Sequence, residues 1–60
     1  MFYLTDGISR IYTTKGWEFC YQGHTYGKPV IFATYEKVIK VRDANPCPYN
    51  RPSWIRRINT

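Results

Sequence analysis

Only one window of this chain supports a helix, and a run with strand character leads directly into it. In "GKPVIFATYEKVIKVRDANP", residues 27–46, the hydrophobic period changes halfway. Lys28 to Thr34 is β-branched and aromatic, as a strand requires, whereas from Tyr35 onward apolar residues recur at spacings of three and four. Val38, Val41 and Ala44, with Tyr35 and Ile39, form one broad stripe, and Lys37 and Lys40 fall outside it. Thr34 is placed to cap the helix, because its hydroxyl can accept a hydrogen bond from a free amide of the first turn. Glu36 puts a negative charge at the positive end of the helix dipole. Asn45 suits the turn that ends a helix, and Pro46 blocks its continuation. The sequence thus predicts one helix over about 34–44.

The other residues read as strands and connectors. "WEFCYQ", residues 17–22, alternates Trp17, Phe19 and Tyr21 with Glu18, Cys20 and Gln22, the pattern of a half-buried strand. "ISRIYTT" (8–14) is rich in strand formers and ends at Lys15-Gly16, and "FYLTD" reads as a short strand or an ordered arm closed by Asp6-Gly7. "TYGKPVIF" (25–32) is the expected third strand, with Pro29 marking an edge or a bulge. After the helix, "PCPYNRP" holds three of the four prolines and reads as an extended connector. "SWIRRIN" (53–59) is compatible with a last strand or with a basic tail anchored by Trp54.

The expected fold is therefore α+β. A small three-stranded antiparallel sheet (2–32) packs against one helix, with an extended basic C-terminal tail at 46–60. All 60 residues form a single small domain. A chain this short buries only about 60% of the surface that its unfolded form exposes. Its 18% aromatic content supplies bulk to that small core, which is expected to join Trp17, Phe19, Tyr21, Phe32, Val38 and Val41 under the helix.

Little in the sequence suggests catalysis. His24 is the one histidine, in a turn, and Asp6, Glu18, Glu36 and Asp43 are scattered. No nucleophile arrangement and no phosphate-binding glycine loop stands out, so neither an enzyme, a metal site nor a cofactor is expected. Cys20 and Cys47 are too few for a disulfide scaffold and fit no zinc spacing, so free thiols are expected, although a bridge between them stays open. No run reaches the roughly 18 apolar residues of a membrane helix, and "MFYLTDG" lacks the regions of a signal peptide. A cytoplasmic protein without a membrane partner is the expectation.

Charge gives the functional lead. The net charge is +5, but residues 1–32 carry only +1 and residues 33–60 carry +4. Such a basic half suits nucleic acid or an acidic protein patch. Arg51, Arg56 and Arg57 surround Trp54, and arginine suits bidentate phosphate contacts while an aromatic ring stacks on bases.

The stretch from Gly7 to Asn45 resembles the three-stranded-sheet-plus-helix DNA-binding domains of the plant ethylene-response-factor type and of the N-terminal arm-binding domain of phage and transposon integrases. The resemblance rests on Lys15-Gly16-Trp17 opening the middle strand, a Tyr/Gly turn, Phe32, Thr34 and Glu36 at the helix entry, and Arg42-Asp43. It implies a sheet face inserted into the DNA major groove, where base edges are read. The chain departs from that pattern where it carries Glu18, Cys20 and Gln22 instead of Arg or Lys. Joined with the charge lead, it gives the expected DNA-binding residues: Arg10, Lys15, Lys28, Arg51, Trp54, Arg56 and Arg57. The expected function is a phage or prophage regulator or accessory factor acting on duplex DNA in the bacterial host cytoplasm. The alternative is a phage-type module that docks on an acidic patch of a host protein and inhibits it.

Overall fold

The computed structural model describes residues 1–58; Asn59 and Thr60, which end the expected tail, lie outside them. Strands β1 (Phe2–Thr5), β2 (Arg10–Thr13) and β3 (Gly16–Phe19) are followed by helix α1 (Tyr35–Ala44), a short 3-10 turn (Pro48–Asn50) and strand β4 (Trp54–Arg57). The sheet has four strands in the order β3-β2-β1-β4, and every neighbouring pair is antiparallel.

The helix forms where the sequence places it. Thr34 caps it, its hydroxyl accepting from the Lys37 amide, and the Asn45 amide closes the last turn on the Val41 carbonyl. The helix lies over β1. Leu4 and Val38 are fully enclosed with Phe32, and Phe2, Tyr12, Trp17, Val30, Val41 and Ile55 pack around them.

The sheet differs from the expected one in three ways. First, "SWIRRIN" is not only a tail: Trp54 to Arg57 pair with β1 through Thr5↔Trp54, Leu4↔Ile55, Tyr3↔Arg56 and Phe2↔Arg57. The three prolines before it form the connector that returns the chain to the sheet edge. Second, residues 25–32 are not a continuous strand. They touch the sheet at two isolated bridges, Thr13↔Pro29 and Phe2↔Phe32. Pro29 has no amide to donate, and its neighbours make the bonds: Val30 N–H to the Tyr12 carbonyl and Thr14 N–H to the Lys28 carbonyl, at 3.1 and 2.9 Å. Third, β3 is an edge strand, not a middle one, and it ends at Phe19.

The expected core is corrected accordingly. Trp17 faces the helix, as its indole N–H donates to the Asn45 carbonyl at 2.8 Å. Phe19 lies two residues further along the same side and is 57% exposed; Tyr21 is 66% exposed. The alternation identified the right face, but a ten-residue helix is only about 15 Å long and does not cover all of it.

Candidate functional site: the open sheet face and the hairpin beyond it

The face opposite the helix carries Tyr3, Thr5, Ile11, Thr13 and Glu18 from the first three strands and Trp54 and Arg56 from β4, as the pairing register requires. Its two ends differ. At the β3 end, Glu18 is turned onto the loop that follows: it accepts from the amides of Tyr26 (2.9 Å) and Gly27 (2.8 Å) and from the Thr13 hydroxyl. The Thr13 hydrogen bond is the main reason that the Glu18 carboxyl stays below its usual range; burial opposes it, and the two amides and Lys15 add to it. Thr13 is buried beneath this loop.

At the β4 end the face is uncovered. Trp54 is 53% exposed and Arg56 is exposed beside it. Both lie against the β1–β2 turn, where a Cβ on Gly7 would stand 3.2 Å from the Trp54 ring and 3.9 Å from the Arg56 guanidinium. Gly7 also has φ +80°, a left-handed backbone that glycine takes without steric cost.

The expected DNA-binding residues thus do not form one surface. Trp54 and Arg56 share the open face. Arg57 follows Arg56 and points to the helix side, opposite Phe2. Lys15 and Lys28 are exposed near the β2–β3 turn, joined through Thr14, whose hydroxyl accepts from the Lys28 amide at 3.2 Å. Arg10 and Arg51 are drawn to Asp6 instead. Asp6 Oδ1 accepts three backbone amides, from Ile8, Ser9 and Arg10, at 2.8–2.9 Å. Its Oδ2 faces Arg51 Nε at 3.6 Å and Arg10 Nη1 at 3.9 Å. Burial works to raise the Asp6 pKa, but the three amides and the Arg51 charge prevail and hold it at about 2. The Asp6-Gly7 pair signals this turn in the sequence, whereas the arginine partners depend on a return of the chain after the helix. Among the described residues, Lys15, Lys28, Lys37, Lys40, Arg56 and Arg57 make no ion pair.

A second feature was missed by sequence reasoning. Phe19, Tyr21, His24, Thr25 and Tyr26 line an open cleft of about 310 Å³. Gln22 (φ 50°) and Gly23 (φ 80°) form the turn at its tip, and Tyr21 and His24 exchange two backbone hydrogen bonds across it. The available signal was Gly23 in the two-residue Gln22-Gly23 step between Tyr21 and His24, since glycine readily takes the left-handed backbone of such a hairpin turn.

No helix among the described residues is long and apolar enough to cross a membrane, and no group of three His, Cys, Asp or Glu stands where it could hold a metal ion. Both cysteines are free, Cys20 half-buried and Cys47 buried. The chain matches no protein-family model, no curated protein and no solved structure.

Proposed function

We propose that this protein is a small DNA-binding module, a regulator or accessory factor of phage or prophage type. It holds duplex DNA by phosphate contacts from the open end of its sheet. The observation that carries the reading is the pairing of Trp54 with Arg56 on a sheet face that no helix covers. Arg57 on the same strand adds positive charge on the helix side, and Lys15 and Lys28 add a separate basic site at the β2–β3 turn. The resemblance to sheet-based DNA-binding domains supports the same ligand. Arg10 and Arg51 have a different role in this reading: they balance Asp6 and do not hold the duplex.

The sheet reads few bases in this arrangement. Glu18 and Thr13, which the pairing register puts on the same face, are occupied by the 25–27 loop. Affinity therefore comes mainly from counterion release, and the logarithm of the binding constant falls with log salt at about −0.9 for each phosphate contacted. Replacing Arg56 and Arg57 together by Ala weakens binding to all duplex sequences alike. It flattens the slope by up to about two, as measured by fluorescence anisotropy on random duplex DNA at several salt concentrations. Absence of salt-dependent binding at low ionic strength overturns the reading and leaves the basic surface as a docking site for an acidic patch on a host protein.

A further inference from the structure

The cleft beyond β3 is not used by the proposed duplex contacts, and its construction points to a ligand. Tyr21 and His24 form a hydrogen-bonded pair across the Gln22-Gly23 turn, so their side chains project to one side. Phe19 and Tyr26 line the same cleft on either side of this pair. The Glu18 carboxylate holds the hairpin by accepting from the Tyr26 and Gly27 amides, and the Thr25 hydroxyl donates to the Gly27 carbonyl at 2.7 Å. The backbone under the cleft is therefore fixed while its rings stay bare: Tyr26 is 93% exposed, Tyr21 66% and Phe19 57%.

Charge selects among occupants for such a cleft. A cation between aromatic rings gains from a carboxylate beside it, and the carboxylate closest in the chain, Glu18, has both oxygens bonded inward. The charged group that stands over Phe19, one of the rings lining the cleft, is a cation instead. The Arg10 guanidinium stands 5.8 Å from the Phe19 ring centroid and 5.1 Å from that of Tyr49, which is itself exposed. Asp6 offsets part of the Arg10 charge at 3.9 Å, but the chain as a whole carries +5. Bare rings beside a guanidinium in a basic protein fit a flat, apolar-faced group linked to an anion.

We propose that the cleft takes an unpaired nucleobase of a single-stranded segment, stacked on Tyr26 and Tyr21 with its phosphate toward Arg10. The proposal rests on the nucleic-acid reading and deepens it: the sheet face holds duplex, and the hairpin cleft holds a strand whose bases are free to stack. Stacking of this kind is tolerant of base identity, because every base has a π-face.

The test uses three fluorescein-labelled probes: a short oligothymidine, a blunt duplex of random sequence, and that duplex with an oligothymidine overhang. The wild-type protein binds the overhang probe more tightly than the blunt one. Tyr26→Ala and Tyr21→Ala each weaken oligothymidine binding by about 5- to 150-fold, the range for loss of one base–aromatic stack. They leave the blunt duplex unchanged. Tyr26→Phe, which keeps the ring, binds like the wild type. Because a variant could lose its fold, NMR of the wild-type protein gives a second readout: the ring protons of Tyr21 and Tyr26 shift upfield on titration with oligothymidine. Salt-dependent binding of the blunt duplex with no gain from the overhang, and no loss in the Tyr variants, overturns the cleft proposal and leaves the duplex reading standing. Binding of single strands alone supports the cleft and defeats the duplex reading. Binding of none of the probes defeats both.

Discussion

Asp6 offers the sharpest test of how this small domain is held together. Its carboxylate is almost wholly enclosed, and it joins three parts of the chain: β1, the loop that donates three amides to it, and Arg51 in the connector before β4. Its pKa falls from 3.8 to about 2 on folding. A carboxyl depressed in the folded state stabilises it above the unfolded pKa, and the contribution is lost as pH falls through the folded value. The full shift corresponds to about 2 kcal/mol at neutral pH, and screening of the partly exposed Arg10 and Arg51 brings this toward about 1 kcal/mol. A domain of this size has only a few kcal/mol of stability, so the loss is measurable.

The assay is urea unfolding followed by tryptophan fluorescence, with Trp17 at the helix end as the reporter, over about pH 7 to pH 2. The wild-type midpoint holds down to about pH 4–5 and then declines. Asp6→Asn keeps an oxygen for the amides but removes the charge. It lowers the midpoint at neutral pH and flattens the acid decline, so the two proteins converge near pH 2. Asp6→Ala costs more at all pH values, because the amides of Ile8, Ser9 and Arg10 lose their acceptor, at roughly 1–3 kcal/mol for each amide that water does not reach. An Asp6→Asn variant with the wild-type acid decline would refute the assignment, because the titrating group would then be elsewhere.

Three further outcomes follow from the packing. Gly27→Ala destabilises by about 1–3 kcal/mol, because the new methyl would stand 2.6 Å from Thr13 Oγ1 and 2.9 Å from both Glu18 Oε2 and Thr14 Oγ1; an unchanged urea midpoint would show that the 25–27 loop is not seated on Glu18. Leu4→Ala costs about 2–5 kcal/mol, whereas Phe19→Ala, at a half-exposed ring, costs under about 1 kcal/mol; reversal of that order in urea unfolding would mean that the core centres on β3 and not on β1. In native protein a thiol reagent modifies Cys20 before Cys47. Cys47 is enclosed, and its pKa is raised by burial and by the Asp6 charge against the opposing pull of Arg10 and Arg51; equal rates in a mass-resolved time course would contradict the burial of Cys47.

The helix was legible because its signals are local: Thr34, Glu36, the apolar stripe and Asn45-Pro46 all lie within one window. The period-2 run at 17–22 was legible in direction but not in extent. Trp17 and Phe19 do share a face, yet whether that face is covered depends on where the helix rests, and the helix rests on β1. Placing β1 at the centre requires pairing Phe2–Thr5 with Trp54–Arg57, a contact between the two ends of the chain. No local pattern encodes such a contact. The same separation hid the Asp6–Arg51 pair, and with it the difference between arginines that hold the fold and arginines that face outward.

The placement of the aromatic residues follows from this topology. One ten-residue helix shields β1 and its flanks, so the fully enclosed apolar side chains of the core are Leu4 and Val38, with Phe32 nearly so. Two places stay unshielded, and each bears aromatic side chains: the face turned away from the helix, with Trp54 on β4, and the β3 edge, with Phe19 and with Tyr21 and Tyr26 in the hairpin that follows. A domain with so little core gains stability from each ring that it encloses. Rings left outside forgo that gain, yet here their supporting backbone is firmly held, by four β-pairs in the case of Trp54 and by the Glu18 carboxylate in the case of Tyr26. Rigid backbone beneath bare rings lowers the entropy lost when a flat ligand is bound. With arginine next to the rings at both places, Arg56 beside Trp54 and Arg10 over Phe19, the ligand that gains most at either place is one that combines stacked bases with phosphate.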